Sequence, residues 1–353
     1  MTKRSRFVFG IDLGDRMSHV CKLDRKTGEV GMDSKVPTTR EALGALFTEI
    51  PKSKIVMESS GSSPWVSRLA RSHGHEVIVA DARKLRVIWD TPRKNDRRDA
   101  LILAQAGASE SPFLHPVHHR SEAAQQRLSV IRARDLAVEA RTKLVNGARG
   151  IVKTDGHRLP SCSPESFHKK AASAIPDELR PALEPLLAIV AAMNVQIRAY
   201  DAEIERLGSS KQYEVTQLLR EVPGVGPLTS LAFVLVIDDP KRFKKSRDVG
   251  AYLGMTPRQD QSSGCDKQLP ITKCGDALLR RLLVQSAHRI LGPFGTENHL
   301  RTWGLALCAR GGRNAKKRAI VAVARKLSVL LHAMWVSGEH FDPARGAAKT
   351  KAA

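Results

Sequence analysis

The 353 residues carry 58 Lys and Arg against 36 Asp and Glu, a net charge of +22, which points to a polyanion, nucleic acid ahead of a membrane surface, as partner. With 42% apolar residues the chain can bury two or three cores. Its five cysteines (Cys21, Cys162, Cys265, Cys274, Cys308) form no CxxC pair, which excludes a disulfide or zinc framework and fits a reducing compartment. Aromatics at 5% leave base stacking a minor share of any nucleic-acid contact. No apolar run approaches the ~18–20 residues of a spanning helix, so no membrane partner is expected. The N-terminus shows no signal peptide.

Residues 6–11 alternate and are rich in β-formers, predicting a strand; "HVCKLD" and "GEVGMDSKV" follow as strands joined by a turn at Thr27-Gly28. "TTREALGALFTEI" reads as a Thr-capped helix. "KIVMES" reads as a buried strand. "SPWVSRLARSHG" is a helix with Pro near its start and Gly past its end. "EVIVAD" is another strand, and helical sequence continues to Ala108. Three strands followed by alternating helix and strand predict an α/β layered domain. Residues 121–150 turn helical, 154–164 read as loop, and a second helical pattern runs from about 176 to 218. Two long antiparallel helices, a coiled-coil-like spacer, fit this. Beyond "EVPGVGPLTSLAFVLVI" the chain is basic, and no acidic residue occurs between Glu297 and Glu339. A solvated helix normally mixes signs, so Arg310, Arg313, Lys316, Lys317, Arg318, Arg325 and Lys326 are expected on phosphate. The last residues, "ARGAAKTKAA", read as a basic tail.

Four carboxylates stand out. Asp12 ends the first strand in "GIDLGD" and Glu58 ends a central-looking strand in "IVMESSG". Asp96 and Asp99, in "RKNDRRD", are i and i+3 on one helix face. Each alone is ordinary: a turn residue, or the salt-bridged start of a helix. Together on one α/β scaffold they would repel unless cations intervene. Two Mg²⁺ ions would neutralise them and serve phosphodiester chemistry. The cations Arg93, Lys94, Arg97 and Arg98 of the same stretch are expected on phosphate. "GIDLGD" also resembles the phosphate loop of actin-like kinases, but the second Asp-Gly loop and the Gly-rich adenosine loop are not found. In "VPGVGPLTS", Gly224 and Gly226 precede a helix, which fits either the hairpin of a helix-hairpin-helix, whose amides hold phosphate, or a plain tight turn.

Asp12 in "GIDLGD", Glu58 in "ESSG", "NDRRDA", and the stretch from "EVPGVGPLTS" to "ITKCGDALLRRLLVQSA" resemble the DEDD transposases of the one-ten family of insertion sequences, relatives of the Piv DNA invertase. The resemblance spans nearly the whole chain. It implies an RNase-H-like, RuvC-type DEDD domain (1–115), a helical spacer (116–218), a mainly helical C-terminal transposase domain carrying a serine (219–342) and the tail (343–353). It also implies recombination of donor and target DNA guided by a structured RNA from the element itself. A homo-oligomer, dimer or tetramer, is expected, on the nucleoid in a bacterial cytoplasm. In such a family a C-terminal serine joins covalently to DNA; here that position falls in "TPRQDQSSG", at Ser262 counted forward or Ser263 counted back. A serine ester conserves the phosphodiester energy that hydrolysis would lose. Arg258 and Lys273 are expected to neutralise the phosphate. The alternative is a RuvC-type metal-dependent nuclease or junction resolvase without a covalent intermediate; the complete carboxylate set argues against a non-catalytic binding protein.

Overall fold

The computed structural model describes residues 5–82, 84, 95–111, 114–262 and 265–344, with 260–262 and 265–268 described in their backbone. Residues Met1–His119 and Arg120–Ala353 form two compact units.

The first unit is built from β1 (Phe7–Asp12), β2 (Met17–Asp24), β3 (Val30–Pro37), α1 (Arg40–Glu49), β4 (Lys54–Glu58), α2 (Ser63–Ser72), β5 (Glu76–Ala80) and α3 (Asp96–Ala108). The sheet order is β3-β2-β1-β4-β5. β1, β2 and β3 pair antiparallel, while β1, β4 and β5 run parallel. Local chemistry sets the boundaries. Gly28 takes φ +77 in the β2–β3 turn, a left-handed conformation that favours glycine. Thr39 caps α1, its Oγ1 accepting from Ala42 N at 3.2 Å. The period-two alternation sorts side chains onto two faces. Phe9, Ile11, Ile55 and Met57 pack with Leu43, Phe47 and Val66 of α1 and α2. Val8, Val56 and Ala80 pack with Leu103 and Ala106 of α3 on the other face.

The second unit holds α4 (Glu122–Thr154), α5 (Pro164–Ala172), α6 (Arg180–Gly208), α7 (Val215–Arg220), α8 (Pro227–Ile237), α9 (Arg247–Tyr252), the hairpin β6 (Pro257–Ser262) and β7 (Cys265–Ile271), then α10 (Ala277–Leu291), α11 (His299–Ala309) and α12 (Ala315–Ser337). α4 and α6 lie antiparallel: Arg134 Nε donates to Asp201 at 2.6 Å, and Arg141 donates to Asn194 at 2.7 Å. At one end Val145, Val152, Leu183 and Leu187 close a core around Phe167 of α5. At the other, Leu128, Ile131 and Ile204 join a core with α8, α10 and α12. α8 is apolar all round and buried from Thr229 to Ile237, as a central helix must be.

Two expectations are corrected. The single helical stretch expected from 176 to 218 is broken in two: one helix covers Arg180–Gly208 and a separate short one begins at Val215. Ser209 and Ser210 fold back there, their backbone N–H groups donating to Glu205 O and Leu207 O. Secondly, two helices, Asp177–Gly208 and Ala315–Ser337, are long and apolar enough to cross a membrane by length and composition. Their apolar faces belong to the cores just described, and a core helix has the same composition as a spanning one.

Candidate active site

β1 and β4 are parallel neighbours, with Ile11 beside Met57. One residue further, Asp12 and Glu58 end the two strands side by side, and adjacent strands lie about 4.8 Å apart. By alternation with Val8 and Val56, both carboxylates stand on the face that α3 covers. α3 approaches that face closely. A Cβ on Gly10 would lie 1.9 Å from the Ala100 carbonyl oxygen, and one on Gly107 would lie 2.4 Å from Val56 Cγ2 and 3.0 Å from Val8 Cγ1. These contacts run α3 antiparallel to β1. Two residues beyond Gly10, about 6.6 Å along the strand, stands Asp12. About four residues back along the helix covers the same distance and reaches the Asp96–Asp99 turn. Ala100, Leu103, Ala104 and Gly107 form the buried stripe; Asp96 and Asp99 continue it at i, i+3 and i+4 spacing, Asp96 exposed and Asp99 half-buried. The four acids therefore share one face at one edge of the sheet. The ordinary role of the pair is met as well: Asn95 caps the helix, its side-chain oxygen accepting from Arg97 N at 3.1 Å, and acids in a first turn favour the helix dipole.

Sequence reasoning missed the bracket that holds this turn. His19 lies directly opposite Asp12 in the β1–β2 pairing. It is 9% exposed, and its Nε2 donates to Asp33 Oδ1. The other Asp33 oxygen is paired with Arg97, between the two helix acids. Arg97, expected on nucleic acid, is thus engaged with Asp33. The bond from His19, with Arg97 beside it, holds the Asp33 carboxyl below its ordinary value. Residues 14 and 64 positions apart leave no linear signal; only the sheet register could have found them. At the opposite end, Arg25 donates to Ala108 O at 2.9 Å and pairs with Glu110 at 3.1 Å. α3 is thus tied at both ends and pressed flat between them. Beneath it the Cys21 thiol is pushed up by burial and stays a thiol.

The donor set fits a divalent cation by chemistry: hard carboxylate oxygens on one face, with a buried imidazole whose Nδ1 has no hydrogen-bond partner among the described residues. Among those residues no three His, Cys, Asp or Glu groups close to a ligand sphere as they stand.

Other expected residues sit in the second unit. Gly224, at φ +87, forms the turn between α7 and α8, where Val225 N donates to Val222 O at 3.0 Å. Gly226 caps α8, with Pro227 at its first position. Ser262 is the last paired residue of β6, opposite Cys265. It stands about 17 Å, five strand steps, from the base of the hairpin at Pro257 and Ile271. Arg258 and Lys273, expected to flank the serine, lie at that base. The base is locked by close approach: a Cβ on Gly254 would lie 2.3 Å from Cys274 N, and one on Gly275 would lie 2.1 Å from Tyr252 O. Arg98, Arg258, Lys273, Arg310, Arg313, Lys316, Lys317 and Arg318 are exposed. Lys326, likewise exposed, lies over the Trp303 ring at 4.5 Å, and partial burial of its amine lowers its pKa. Arg93, Lys94, Ser263 and the tail from 345 onward lie outside the described residues. A cleft of about 320 Å³ between α4, α8 and α10, closed at its rim by Arg281 with Asp135 and Glu139, holds none of the expected groups.

Residues 9–154 match a family model for DEDD transposases of IS110 type, described as a transposase, and residues 216–299 match one described as Transposase IS116/IS110/IS902 family. A putative transposase, y4pF/y4sB, of Sinorhizobium fredii is 29% identical over 88% of this chain and 80% of its own length. The transposase for insertion sequence element IS1328 of Yersinia enterocolitica is 30% identical over 79% of this chain and 82% of its own. The pilin gene-inverting protein of Moraxella lacunata is 23% identical over 82% and 81%.

Proposed function

The chain belongs to the IS116/IS110/IS902 family of transposases, and from that premise we propose how its own residues recombine DNA. The observation that carries the reading is the edge where Asp12 and Glu58 end neighbouring parallel strands under the Asp96–Asp99 turn. The sheet order, three antiparallel strands followed by two parallel ones, supports an RNase-H-like scaffold of the RuvC type. Asp12, Glu58, Asp96 and Asp99 hold the divalent cation, two Mg²⁺ in the full site. When bound, it neutralises charge on the phosphate. Ser262 supplies the nucleophile. Its oxygen attacks phosphorus and the bond to the next nucleotide breaks. The freed hydroxyl takes up a proton equivalent to the one the serine releases, so the reverse step reseals a new pair of ends without ATP. Arg98, Arg258, Lys273, Arg313, Lys316, Lys317 and Arg318 hold backbone phosphates, and the Gly224–Gly226 hairpin contributes amides. Donor and target DNA, a structured RNA from the element, and a dimer or tetramer complete the assembly.

Trapping on a nicked phosphorothiolate duplex tests this. Wild type should leave a protein–DNA adduct that survives denaturation. Ser262→Ala should lose it while still binding DNA, and Asp99→Ala should lose it with its melting temperature kept. Loss in Ser263→Ala instead of Ser262→Ala would move the nucleophile by one residue. Cleavage with no adduct in wild type would favour the metal-only nuclease.

A further inference from the structure

Phe294 is the most exposed of the large apolar side chains that the described residues present, at 81%. A lone exposed apolar residue is common and by itself means little; this one is held out by its backbone. It sits in the Gly292–Gly295 turn between α10 and α11, behind Pro293, and Gly295 N donates to Gly292 O at 3.1 Å. Arg301 Nη1 donates to both Ile290 O and Gly292 O at 2.7 Å, and its Nε pairs with Glu297 at 2.9 Å. A Cβ on Gly295 would lie 2.1 Å from Ile290 O, so the turn is seated against the helix end with no side chain between. Asn298 then caps α11, its Oδ1 accepting from Leu300 N at 2.9 Å and Arg301 N at 3.0 Å. These bonds fix the backbone of the turn on which the exposed ring stands.

What lies beside it carries the argument. Ile290, whose carbonyl seats the Phe294 turn, presents its side chain to the other hairpin: a Cβ on Gly224 would lie 3.2 Å from Ile290 Cγ1, 3.1 Å from Ser286 O and 3.6 Å from Arg289 Cβ. Two tight glycine turns thus flank one buried residue, with exposed Arg289 at their junction. We propose that this corner is a nucleobase-binding site: Phe294 lays its ring on the face of a base while Arg289 and the Gly224–Gly226 turn hold the adjoining backbone. A rigid ring next to a phosphate-holding turn recognises base plus backbone without reading sequence, because every base has a π-face. The net charge of +22 selects nucleic acid over an apolar protein partner. The proposal rests on the reading that the second unit binds nucleic acid.

Fluorescence anisotropy with fluorescein-labelled duplex DNA, single-stranded DNA and single-stranded RNA tests it, using the full chain. Phe294→Ala should weaken binding about 5- to 100-fold on at least one of the three with no change in the slope of log K against log salt, since no charge is lost. Phe294→Tyr should restore affinity and Phe294→Leu should not, because area alone does not stack. Arg289→Ala should flatten the salt slope by about 0.9. Loss on DNA only assigns the base to a DNA strand; loss on RNA only assigns it to the RNA. Equal affinity for wild type and Phe294→Ala on all three overturns the proposal while leaving the transposase reading standing, as does full rescue by Phe294→Leu. A change in sedimentation of Phe294→Ala with unchanged affinity makes the ring a contact between copies instead. Wild type that binds none of the three probes overturns both readings.

Discussion

Gly10→Ala is the sharpest perturbation of the carboxylate edge, because it touches no acid. The new methyl group would lie 1.9 Å from Ala100 O and 2.5 Å from Ala104 N, where ordinary contact begins at 3.4 Å, so α3 must retreat by about 1.5 Å. Both opposing atoms are backbone, so no rotamer relieves the contact. Ala100 follows Asp99 directly, and the retreat carries that carboxylate with it, while Arg25 and Ala108 hold the far end. Overpacking of this size costs about 1–3 kcal/mol, a drop of several degrees in the melting midpoint. Misplacing a reacting group by about 1 Å costs on the order of 10²-fold in rate. Strand exchange should therefore fall about a hundredfold, with DNA affinity near wild type. Ala100→Gly in the same chain should restore neither, since the clash is with the carbonyl. Wild-type melting and exchange in Gly10→Ala would refute the placement of α3 on β1.

Three further outcomes are expected. Asp33→Asn should weaken the His19–Asp33–Arg97 bracket and lower strand exchange about ten- to a hundredfold with melting little changed; unaltered exchange would leave the bracket without a role. Replacing Lys316, Lys317 and Arg318 with Ala should weaken binding to all DNA sequences alike and flatten the salt slope by about 0.9 per lost contact; an unchanged slope would place them in solvent. Asp24, Asp33, Glu203, Glu205 and Glu221 are held below their ordinary values, first by the Lys26 amide, His19, Arg206, Arg220 and the Phe341 amide respectively. The unfolded chain then binds more protons near pH 4, so their stabilisation is complete above the ordinary carboxylate pKa of about 4 and is lost as pH falls through the lower folded values. Circular dichroism should stay flat from pH 7 to about 5 and decline below about 4; an unfolding step between pH 7 and about 5 would contradict it.

The central strands of the first unit are legible as short runs of apolar and β-branched residues such as Ile55-Val56-Met57, bounded by polar turns, and the two-residue period of a strand then predicts which face Asp12 and Glu58 occupy. The helical second unit is less so. α5 hides in "PESFHKKAA", where only Phe167 and Ala171 are buried, too few apolar positions to show a period. The end of α6 is written in Gly208-Ser209-Ser210, a stop that the apolar pattern resuming at Val215 and Leu218 masks. Arg258 and Lys273 stand near Ser262 in sequence and far from it along the hairpin, because an extended strand spends about 3.3 Å on every residue. His19 and Phe294 escape for opposite reasons: one acquires meaning only from its cross-strand neighbour, the other only from the bracing of its turn.

The pairing of β6 with β7 shifts between Pro257 and Gln259, so that Arg258 faces two residues of β7, Leu269 and Pro270, instead of one. Strand parity makes this irregularity consequential. Adding one residue between it and the tip would turn Ser262 onto the reverse side of the ribbon, whereas adding one residue to each strand advances the tip by about 3.3 Å and also inverts it. Only even increments per strand, about 6.6 Å each, lengthen the arm with its tip position on the same side of the ribbon. The bulge is the exception, since bulges absorb an unpaired residue and re-aim the strand beyond them. Homologous arms should therefore vary in length by twos along the ladder and by ones only at the bulge, and a grafted hairpin that ignores this rule carries its tip on the reverse side of the ribbon.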